Sequence, residues 1–286
     1  MRLGDLIAAT REGVPPAGAV AITFDDGYAD NFLAAKPLLE RAGVPATVFV
    51  ASGYVASGRP FWWDELERLL LRPGRLPSVV TVEIGAEPLY WELGNDAVYT
   101  PRRAAECAAW TVLDVGEPGR RQSVYRALCS RFRVLDESER ERVLERVRSI
   151  AELDDGADLE APRPLTPEEL RRLADGGLVE IGAHTVTHPV LSQLPVERQR
   201  EEVGGSKRQL EEALSRPVTS FAYPYGAPAD INDTTLSVVR TAGFDRACAN
   251  VPARIRRGTD PFRLPRVLVR DWRGRELVRR LLEVGP

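Results

Sequence analysis

The sequence predicts an α/β fold built around a parallel sheet, either a barrel or a wound sheet. Short apolar strands alternate with helical segments along most of the chain, and a polar cluster follows each of three strands. A chain of 286 residues, with 43% hydrophobic and 28% charged residues, is long enough for one large domain with a substantial core. Because functional residues of parallel α/β folds gather at the carboxyl ends of the strands, we expect the three clusters to share one rim.

The first strand, helix and strand begin near residue 19. The apolar, β-branched run at 19–24 is typical of a strand that is buried on both faces. It ends at Asp25-Asp26-Gly27, after which a helix is expected over Tyr28–Ala42, with Gly43 at its C-terminal end. Residues Ala46–Val50 are the next expected strand. The order strand, helix, strand predicts a right-handed parallel unit.

The same alternation returns near residue 165. The segment Thr166–Glu169 is typical of a helix start, with an N-cap, a proline at the first helical position and a capping-box glutamate. His184-Thr185-Val186-Thr187-His188 and Tyr223-Pro224-Tyr225-Gly226 each follow a predicted strand. The elements expected here are a helix ending at Gly176, strand Leu178–Ala183, helix Pro195–Ser215, strand Thr219–Ala222, helix Thr234–Ala242, strand Arg246–Ala249, strand Arg266–Val269 and helix Arg275–Leu282.

Between about Ser52 and Pro164 the alternation stops. We expect a helix over Phe61–Leu71, a hairpin over Val79–Gly94 and two helices within Arg120–Leu153. The many Glu and Arg residues of the last segment indicate a solvated helix face with i,i+4 ion pairs. The prediction is one domain over residues 1–286, interrupted by a large, mainly helical insertion at about 52–164.

Composition excludes several classes of protein. A formal net charge of -3 gives no excess of positive charge for nucleic acid or an anionic membrane. The three cysteines are widely separated and suggest neither a disulfide framework nor a thiolate zinc site. No apolar run approaches a membrane span, and Leu6–Ala9 is too short for the core of a signal peptide. We therefore expect the chain as given to stay in the cytoplasm, unless a leader has been lost.

The clusters contain the residue types of a metal site. Both histidines of the chain lie in His184-x-x-x-His188; a lone histidine is most often structural, and this motif by itself leaves a structural and a metal-binding interpretation equally open. Asp25 and Asp26 are adjacent carboxylates that repel unless a cation or donors compensate, although Asp-Asp-Gly alone is more often a turn. One carboxylate and two imidazoles form a ligand set with open positions. Asp26 is then the ligand and Asp25 the free base.

Three motifs in this order resemble those of a known family. Thr23-Phe24-Asp25-Asp26-Gly27, the His184–His188 segment and the Tyr223–Gly226 segment are similar to the leading motifs of the polysaccharide deacetylase family, the NodB-homology or carbohydrate esterase family 4 domain. The resemblance covers about residues 15–55 and 160–286. It implies a distorted (β/α)7 barrel and a metal-dependent hydrolase that removes acetyl groups from N-acetylated sugars.

The resemblance also implies a role for each matching residue. It assigns Asp25 as general base and the backbone N–H of Tyr225 as oxyanion donor. It assigns Asp26, His184 and His188 as ligands of one divalent metal ion, with zinc as the expected ion. An acetylated sugar is the expected substrate.

The sequence departs from the family pattern at two points. Ala222 stands where the family has an arginine that orients the base, and no histidine follows His188 to act as the general acid. Arg266 is a candidate to bring a guanidinium group near Asp25, with a surface salt bridge as the alternative.

Four residues are candidates for substrate binding, and for the two tryptophans core packing is the alternative. They are Arg266, Asp271, Trp272 and Trp63.

We therefore expect a metal-dependent hydrolase that removes N-linked acetyl groups from a sugar. An esterase acting on O-acetyl sugars stays open as an alternative. A non-catalytic sugar-binding relic also stays open, because of Ala222 and the missing acid.

Overall fold

The computed structural model describes residues 1–13, 18–85, 87–153, 162–270 and 272–284. The chain divides into two compact units. We call Met1–Arg59 with Pro164–Pro286 the sheet unit, and Pro60–Arg163 the inserted unit. The sequence analysis begins the insertion at about residue 52, whereas a helix over Ser52–Ser57 belongs to the sheet unit.

The sheet unit begins with a helix that the sequence analysis does not predict. The short apolar stretch at 6–9 is part of this helix, in which Leu6 and Ile7 are buried. The helix expected from Tyr28 onward starts as a π-helix, a departure that a period of 3.6 residues does not reveal. The elements are α1 (Leu3–Glu12), β1 (Ile22–Phe24), the π-helix (Asn31–Ala35), α2 (Lys36–Ala42), β2 (Ala46–Val50) and α3 (Ser52–Ser57).

The inserted unit contains the expected helix, hairpin and pair of helices. Asp136 caps the last helix, since its Oδ1 accepts a hydrogen bond of 2.8 Å from the N–H of Glu139. Three short strands form a sheet in the order Val98–Tyr99, Gly74–Arg75, Glu152–Leu153. The hairpin pairs Val79–Ile84 with Glu87–Glu92. The elements are α4 (Trp62–Leu71), β3 (Gly74–Arg75), β4 (Val79–Ile84), β5 (Glu87–Glu92), β6 (Val98–Tyr99), α5 (Pro101–Cys107), α6 (Arg120–Phe132), α7 (Glu137–Ile150) and β7 (Glu152–Leu153).

After the insertion the sheet unit alternates largely as expected. Thr166 and Glu169 form the capping box at the start of its first helix. The elements are α8 (Pro167–Ala174), β8 (Val179–Ala183), α9 (Val196–Leu214), β9 (Ser220–Ala222), α10 (Asp233–Thr241), β10 (Arg246–Cys248) and α11 (Arg275–Glu283).

One predicted strand is wrong: residues 266–269 form no regular strand. Just before these residues, a parallel bridge joins Leu264 to Cys248 of the sheet. Pro265 has no N–H to donate, so the ladder cannot continue regularly beyond Leu264. The N–H of Arg266 donates to the carbonyl of Val251 at 3.0 Å, which fixes the chain at that point.

The main sheet places all its carboxyl ends together. Its five strands are parallel, in the order β1-β2-β8-β9-β10. Because all five strands run in the same direction, the loops after β1, β8 and β9 lie along one rim. These are the loops that carry the three polar clusters.

Both faces of this sheet are covered. Val48 and Val50 of β2 belong to the large core formed with the surrounding helices. On the other face Phe49 packs with Leu3 and Ile7 of α1. Among the described helices, none has the length and apolar character needed to cross a membrane.

Candidate active site

The chain leaves β1 in a tight turn at Asp26. The N–H of Gly27 donates to the carbonyl of Asp25 at 2.9 Å, and Asp26 has a φ of 72°. An i to i+2 hydrogen bond around a positive φ is the strained form of γ-turn. A glycine is needed next, because Gly27 has a φ of 87° and a Cβ there would lie 3.0 Å from Cγ1 of Val50. This turn separates two adjacent carboxylates, which then meet different partners.

Asp26 faces both histidines. Its Oδ1 lies 3.4 Å from Nε2 of His184 and 3.2 Å from Nε2 of His188. The ligand atoms of the three residues all lie within 4.8 Å of one another. Both imidazoles are buried, whereas the Asp26 side chain is 24% exposed. The cluster is therefore a compact set of three donors that solvent reaches at the carboxylate.

The protonation pattern of His184 suits a metal ligand. Its Nδ1 lies 2.7 Å from the carbonyl oxygen of Ala222. Because a carbonyl only accepts, Nδ1 carries a hydrogen, so that loss of the other proton leaves a neutral ring whose Nε2 lone pair faces Asp26. A carboxylate with two imidazole nitrogens is a donor set that suits zinc, so the residues fit the expected ion.

The electrostatics of the cluster favour a positive charge beside Asp26. Burial raises the pKa of Asp26, but hydrogen bonds from His184 and His188 outweigh it and hold the pKa well below its ordinary value. Burial lowers the pKa of His184, but the hydrogen bond with Asp26 and the charge of Asp25 leave it above its ordinary value. A divalent cation supplies the positive charge that these carboxylates attract.

The loop between the histidines is held in an unusual backbone conformation. Thr185 and His188 have φ values of 67° and 57°. The hydroxyl of Thr185, which is completely buried, accepts a hydrogen bond of 3.0 Å from the N–H of His188. This contact closes the loop and brings the second imidazole back toward the first.

Asp25 faces Arg266. The two guanidinium nitrogens Nη1 and Nη2 donate to Oδ1 and Oδ2 of Asp25 at 2.7 and 2.9 Å. Nη1 also donates to the hydroxyl of Thr23 at 3.2 Å, and Nη2 to Oδ1 of Asn250 at 2.8 Å. The Arg266 side chain is only 12% exposed, so this is not a surface salt bridge. Burial lowers the pKa of Arg266, but Asp25 more than offsets this and leaves it above its ordinary value.

A second γ-turn follows β9 at Tyr225. The N–H of Gly226 donates to the carbonyl of Pro224 at 2.6 Å, and Tyr225 has a φ of 61°. The Tyr225 ring packs edge-on against His188, with 4.8 Å between the ring centres. Asn250 braces the turn: its side-chain Nδ2 donates to the carbonyl of Tyr225 at 2.6 Å, and its backbone N–H to that of Gly226 at 2.8 Å.

The structure brings most of the predicted site residues together. Three of the four candidates for substrate binding stay predictions. The guanidinium carbon of Arg280 lies over the ring of Trp272, 4.9 Å from the centre of that ring. Trp63 lies in the inserted unit, where its ring stacks on Phe61 at 4.8 Å. Asp271 lies outside the described residues.

Two residues that contact the site are not predicted from the sequence: Asn250, and Glu202, whose carboxylate accepts hydrogen bonds from the loop between the two histidines. Asn250 comes two positions after β10, so the rule that polar residues gather at the carboxyl ends of strands applies to it as well. Glu202 lies in the long helix α9, in which several other glutamates and arginines occur. No local signal in the sequence separates it from them.

Comparison with known proteins decides the family. A family model described as polysaccharide deacetylase matches residues 12–74 and 144–247. The chain belongs to the polysaccharide deacetylase family. The match contains Asp25, Asp26, both histidines and Tyr225, and it ends before Asn250 and Arg266.

Similarity to one curated member of the polysaccharide deacetylases is local. YxkH of Bacillus subtilis (strain 168), which bears the family's name, is 46% identical over 41 residues. The match covers 14% of this chain and 15% of YxkH.

Solved deacetylases share the fold. Streptococcus pyogenes deacetylase PplD, solved with acetate, has a TM-score of 0.56 at 16% identity, over 100% of this chain and 79% of PplD. A de-N-acetylase from Aggregatibacter actinomycetemcomitans has a TM-score of 0.52 at 15% identity, over 98% and 82%. IcaB from Ammonifex degensii has a TM-score of 0.53 at 19% identity, over 95% and 76%. The parallel sheet with its helices thus matches the (β/α)7 barrel expected from the sequence.

Proposed function

We propose that the chain is a metal-dependent hydrolase that removes N-linked acetyl groups from an acetylated sugar. The proposal depends on one observation: two adjacent carboxylates contact different kinds of side chain. Asp26 faces two imidazoles, whereas Asp25 faces a guanidinium group. Neighbouring carboxylates in different environments are suited to different roles in one reaction.

Asp26, His184 and His188 would hold one divalent ion, with zinc as the expected one. Such an ion, when bound, polarises the acetyl carbonyl and lowers the pKa of water to about 7. The hydrogen bond from Nδ1 of His184 to Ala222 keeps the ring in the orientation and tautomer that a ligand needs.

Asp25 is the general base. A carboxylate has about four lone-pair sites, and Arg266 occupies one on each oxygen, so each oxygen keeps one for the proton of the attacking water. The Asp25 side chain is 27% exposed, which leaves it accessible to water. The paired hydrogen bonds fix the plane of the carboxylate, and Arg266 thereby does the work of the arginine that Ala222 replaces.

The backbone N–H of Tyr225 donates to the oxyanion that forms when water attacks the acetyl carbon. Losing one such donor typically costs about 3 to 4 kcal/mol of transition-state stabilisation. The γ-turn and the two hydrogen bonds from Asn250 hold this peptide in place.

Expulsion of the amine requires a proton, and the chain has no third histidine to give one. Asp25 holds the proton taken from water, so it donates that proton to the leaving nitrogen. The missing histidine also favours a second candidate function, the O-acetyl esterase, because an alcohol leaves more readily than an amine. One of the two reasons for a non-catalytic relic was that Ala222 replaces the usual arginine. This reason no longer holds, because Arg266 makes the contact with Asp25 instead.

The test is acetate release from a panel of acetylated sugars, each offered with the same acetyl group as an amide and as an ester. Zinc-loaded protein is compared with protein treated with a chelator. We expect amide cleavage that is lost on chelation and restored by zinc. Ester cleavage without amide cleavage would replace the proposal by the esterase. Bound zinc with no acetate released from any substrate would favour the relic.

A further inference from the structure

We propose that Glu202 is a positioning residue for the metal site, because its carboxylate clamps the loop between the two histidine ligands. The inference rests on the proposed function in one respect: it requires that Asp26, His184 and His188 bind a metal ion.

The Glu202 carboxylate accepts three hydrogen bonds from this loop. Its Oε2 accepts hydrogen bonds from the backbone N–H groups of Val186 and Thr187, at 2.9 and 2.8 Å. Its Oε1 accepts a third from the hydroxyl of Thr187, at 2.7 Å. Glu202 is 5% exposed, so these bonds form away from bulk water. Hydrogen bonds to an ionised acceptor are about twice as strong as those between neutral groups.

The loop is held from its other side as well. The N–H of Ser52 donates to the carbonyl of Thr185 at 3.1 Å, and that of Gly53 to the carbonyl of Val186 at 3.0 Å. The start of α3 therefore binds the loop's carbonyls, and Glu202 binds its N–H groups. Both supports are part of the sheet unit, and Glu202 projects from the 19-residue helix α9.

The clamp adds to the loop's own hydrogen bond between His188 and the Thr185 hydroxyl, which is one contact for a strained segment. His188 must return to within 3.2 Å of the carboxylate that His184 also faces, and the backbone does so through two residues of positive φ. Such conformations persist only where surrounding contacts over-determine them. Without Glu202, Val186 and Thr187 lose the acceptor for both N–H groups, and the second imidazole loses its fixed position.

The clamp depends on accepting hydrogen bonds rather than on negative charge as such. In Glu202→Gln the amide oxygen can accept from both N–H groups, while the amide nitrogen can donate to the Thr187 hydroxyl, which also accepts. In Glu202→Ala all three bonds are lost. Thr187→Val removes only the hydroxyl bond. Glu201 is a matched control, because it is the preceding glutamate on α9 and pairs with Arg198 at the exposed surface.

The experiment measures zinc affinity directly, by competition with a chromogenic chelator, in wild type and in the four variants E202A, E202Q, T187V and E201A. Unfolding temperatures of the zinc-free proteins are measured alongside. We expect zinc affinity to fall about 10- to 100-fold in E202A, the range typical for loss of an outer-shell partner. We expect zinc affinity to fall about fivefold to tenfold in T187V, since one hydrogen bond is lost, and to stay within about threefold of wild type in E202Q and E201A.

The outcomes separate this inference from the function on which it rests. If wild type binds no zinc, the proposed metal site is wrong and the role of Glu202 is wrong with it. If wild type binds zinc and E202A binds it equally well, only the role of Glu202 is wrong. If E202A does not fold, E202Q and T187V decide. Lower zinc affinity in T187V, together with an affinity near the wild-type value in E202Q, supports the clamp. Unchanged zinc affinity in T187V overturns it.

Discussion

The two units differ in what their buried charged side chains contact, as one arginine from each unit shows. Arg266 of the sheet unit is directed at a carboxylate, with a bidentate contact to Asp25. Arg121 of the inserted unit, 1% exposed, is directed at the backbone. Its guanidinium donates to four carbonyl groups, those of Leu70, Gly74, Asp96 and Ala97. One arginine orients the carboxylate proposed as the general base, and the other joins chain segments.

Backbone strain separates the units in the same way. In the described part of the chain, all five non-glycine residues with positive φ lie in the sheet unit, and four belong to the site. Each such residue costs on the order of 1 to 3 kcal/mol, which the surrounding contacts must offset. Among its described residues, the inserted unit contains no non-glycine residue with a positive φ. Backbone strain therefore coincides with the candidate site more closely than burial of charge does. The four are Asp26, Thr185, His188 and Tyr225, and the fifth, Ser215, ends α9.

The largest expected effect comes from separating the adjacent carboxylates of the sheet unit. Asp25→Asn should lower kcat by about 10²- to 10⁴-fold, the usual contribution of a general base, with zinc content unchanged. Asp26→Asn should lower zinc content itself, because a ligand is lost. Acetate release and metal analysis of the purified variants check both. Loss of zinc in Asp25→Asn with retention in Asp26→Asn would show that the two roles are reversed.

A smaller effect tests the contrast between the two arginines. Arg266→Lys should lower kcat by about 10- to 100-fold, because one ammonium group cannot hold both carboxylate oxygens. Arg121→Lys should leave kcat unchanged and reduce the unfolding free energy by about 2 kcal/mol, because buried carbonyls lose their donors. Urea unfolding and steady-state kinetics of both variants are the measurements. A loss of kcat in Arg121→Lys as large as that in Arg266→Lys would remove the distinction between the units.

The sequence predicts those parts of the molecule that local patterns control. Strand β2 occurs where its apolar run is predicted, and the capping box of α8 is visible in four residues. The contact between Arg266 and Asp25 joins positions 241 residues apart, so nothing local marks it. Family motifs instead pointed to it, because Ala222 left the base without its usual arginine. Glu202 had no such indication, since its role depends on which face of α9 meets the loop.

Stability at low pH should distinguish a buried ion pair of the inserted unit from its exposed pairs. Burial raises the pKa of Glu65, but hydrogen bonds from Arg68 and Arg148 outweigh it and leave the pKa below its ordinary value of 4.5. A carboxylate with a lowered pKa in the folded chain stabilises it fully above the unfolded value. This contribution is lost as the pH falls below 4.5 and through the folded pKa. Glu65→Gln should therefore cost about 2 kcal/mol at pH 7, and progressively less as the pH falls below 4.5.

The control for this prediction is Glu106→Gln in the same unit, where Glu106 pairs with Arg102 at the exposed surface. Exposed pairs contribute little, so its unfolding curve should match wild type at every pH. Urea unfolding between pH 3 and about 7 measures both variants. A constant difference between Glu65→Gln and wild type over this range would contradict the role assigned to the Glu65 carboxylate.

The smallest expected effect asks whether the inserted unit takes part in binding the substrate at all. Its two adjacent tryptophans differ: Trp62 is buried against Phe132 in the core of the unit, whereas Trp63 is partly exposed and stacks on Phe61. An aromatic ring that packs on a sugar contributes about 1 kcal/mol, so Trp63→Ala should raise KM about fivefold, with kcat and zinc content unchanged. Trp110→Ala is the control, since Trp110 is a partly buried tryptophan of the same unit that contacts Tyr125 and Arg126 there. If Trp63→Ala keeps the wild-type KM with the true substrate, the inserted unit has no part in the site. If both variants raise KM equally, the effect comes from general loosening of the unit and not from a contact with the sugar.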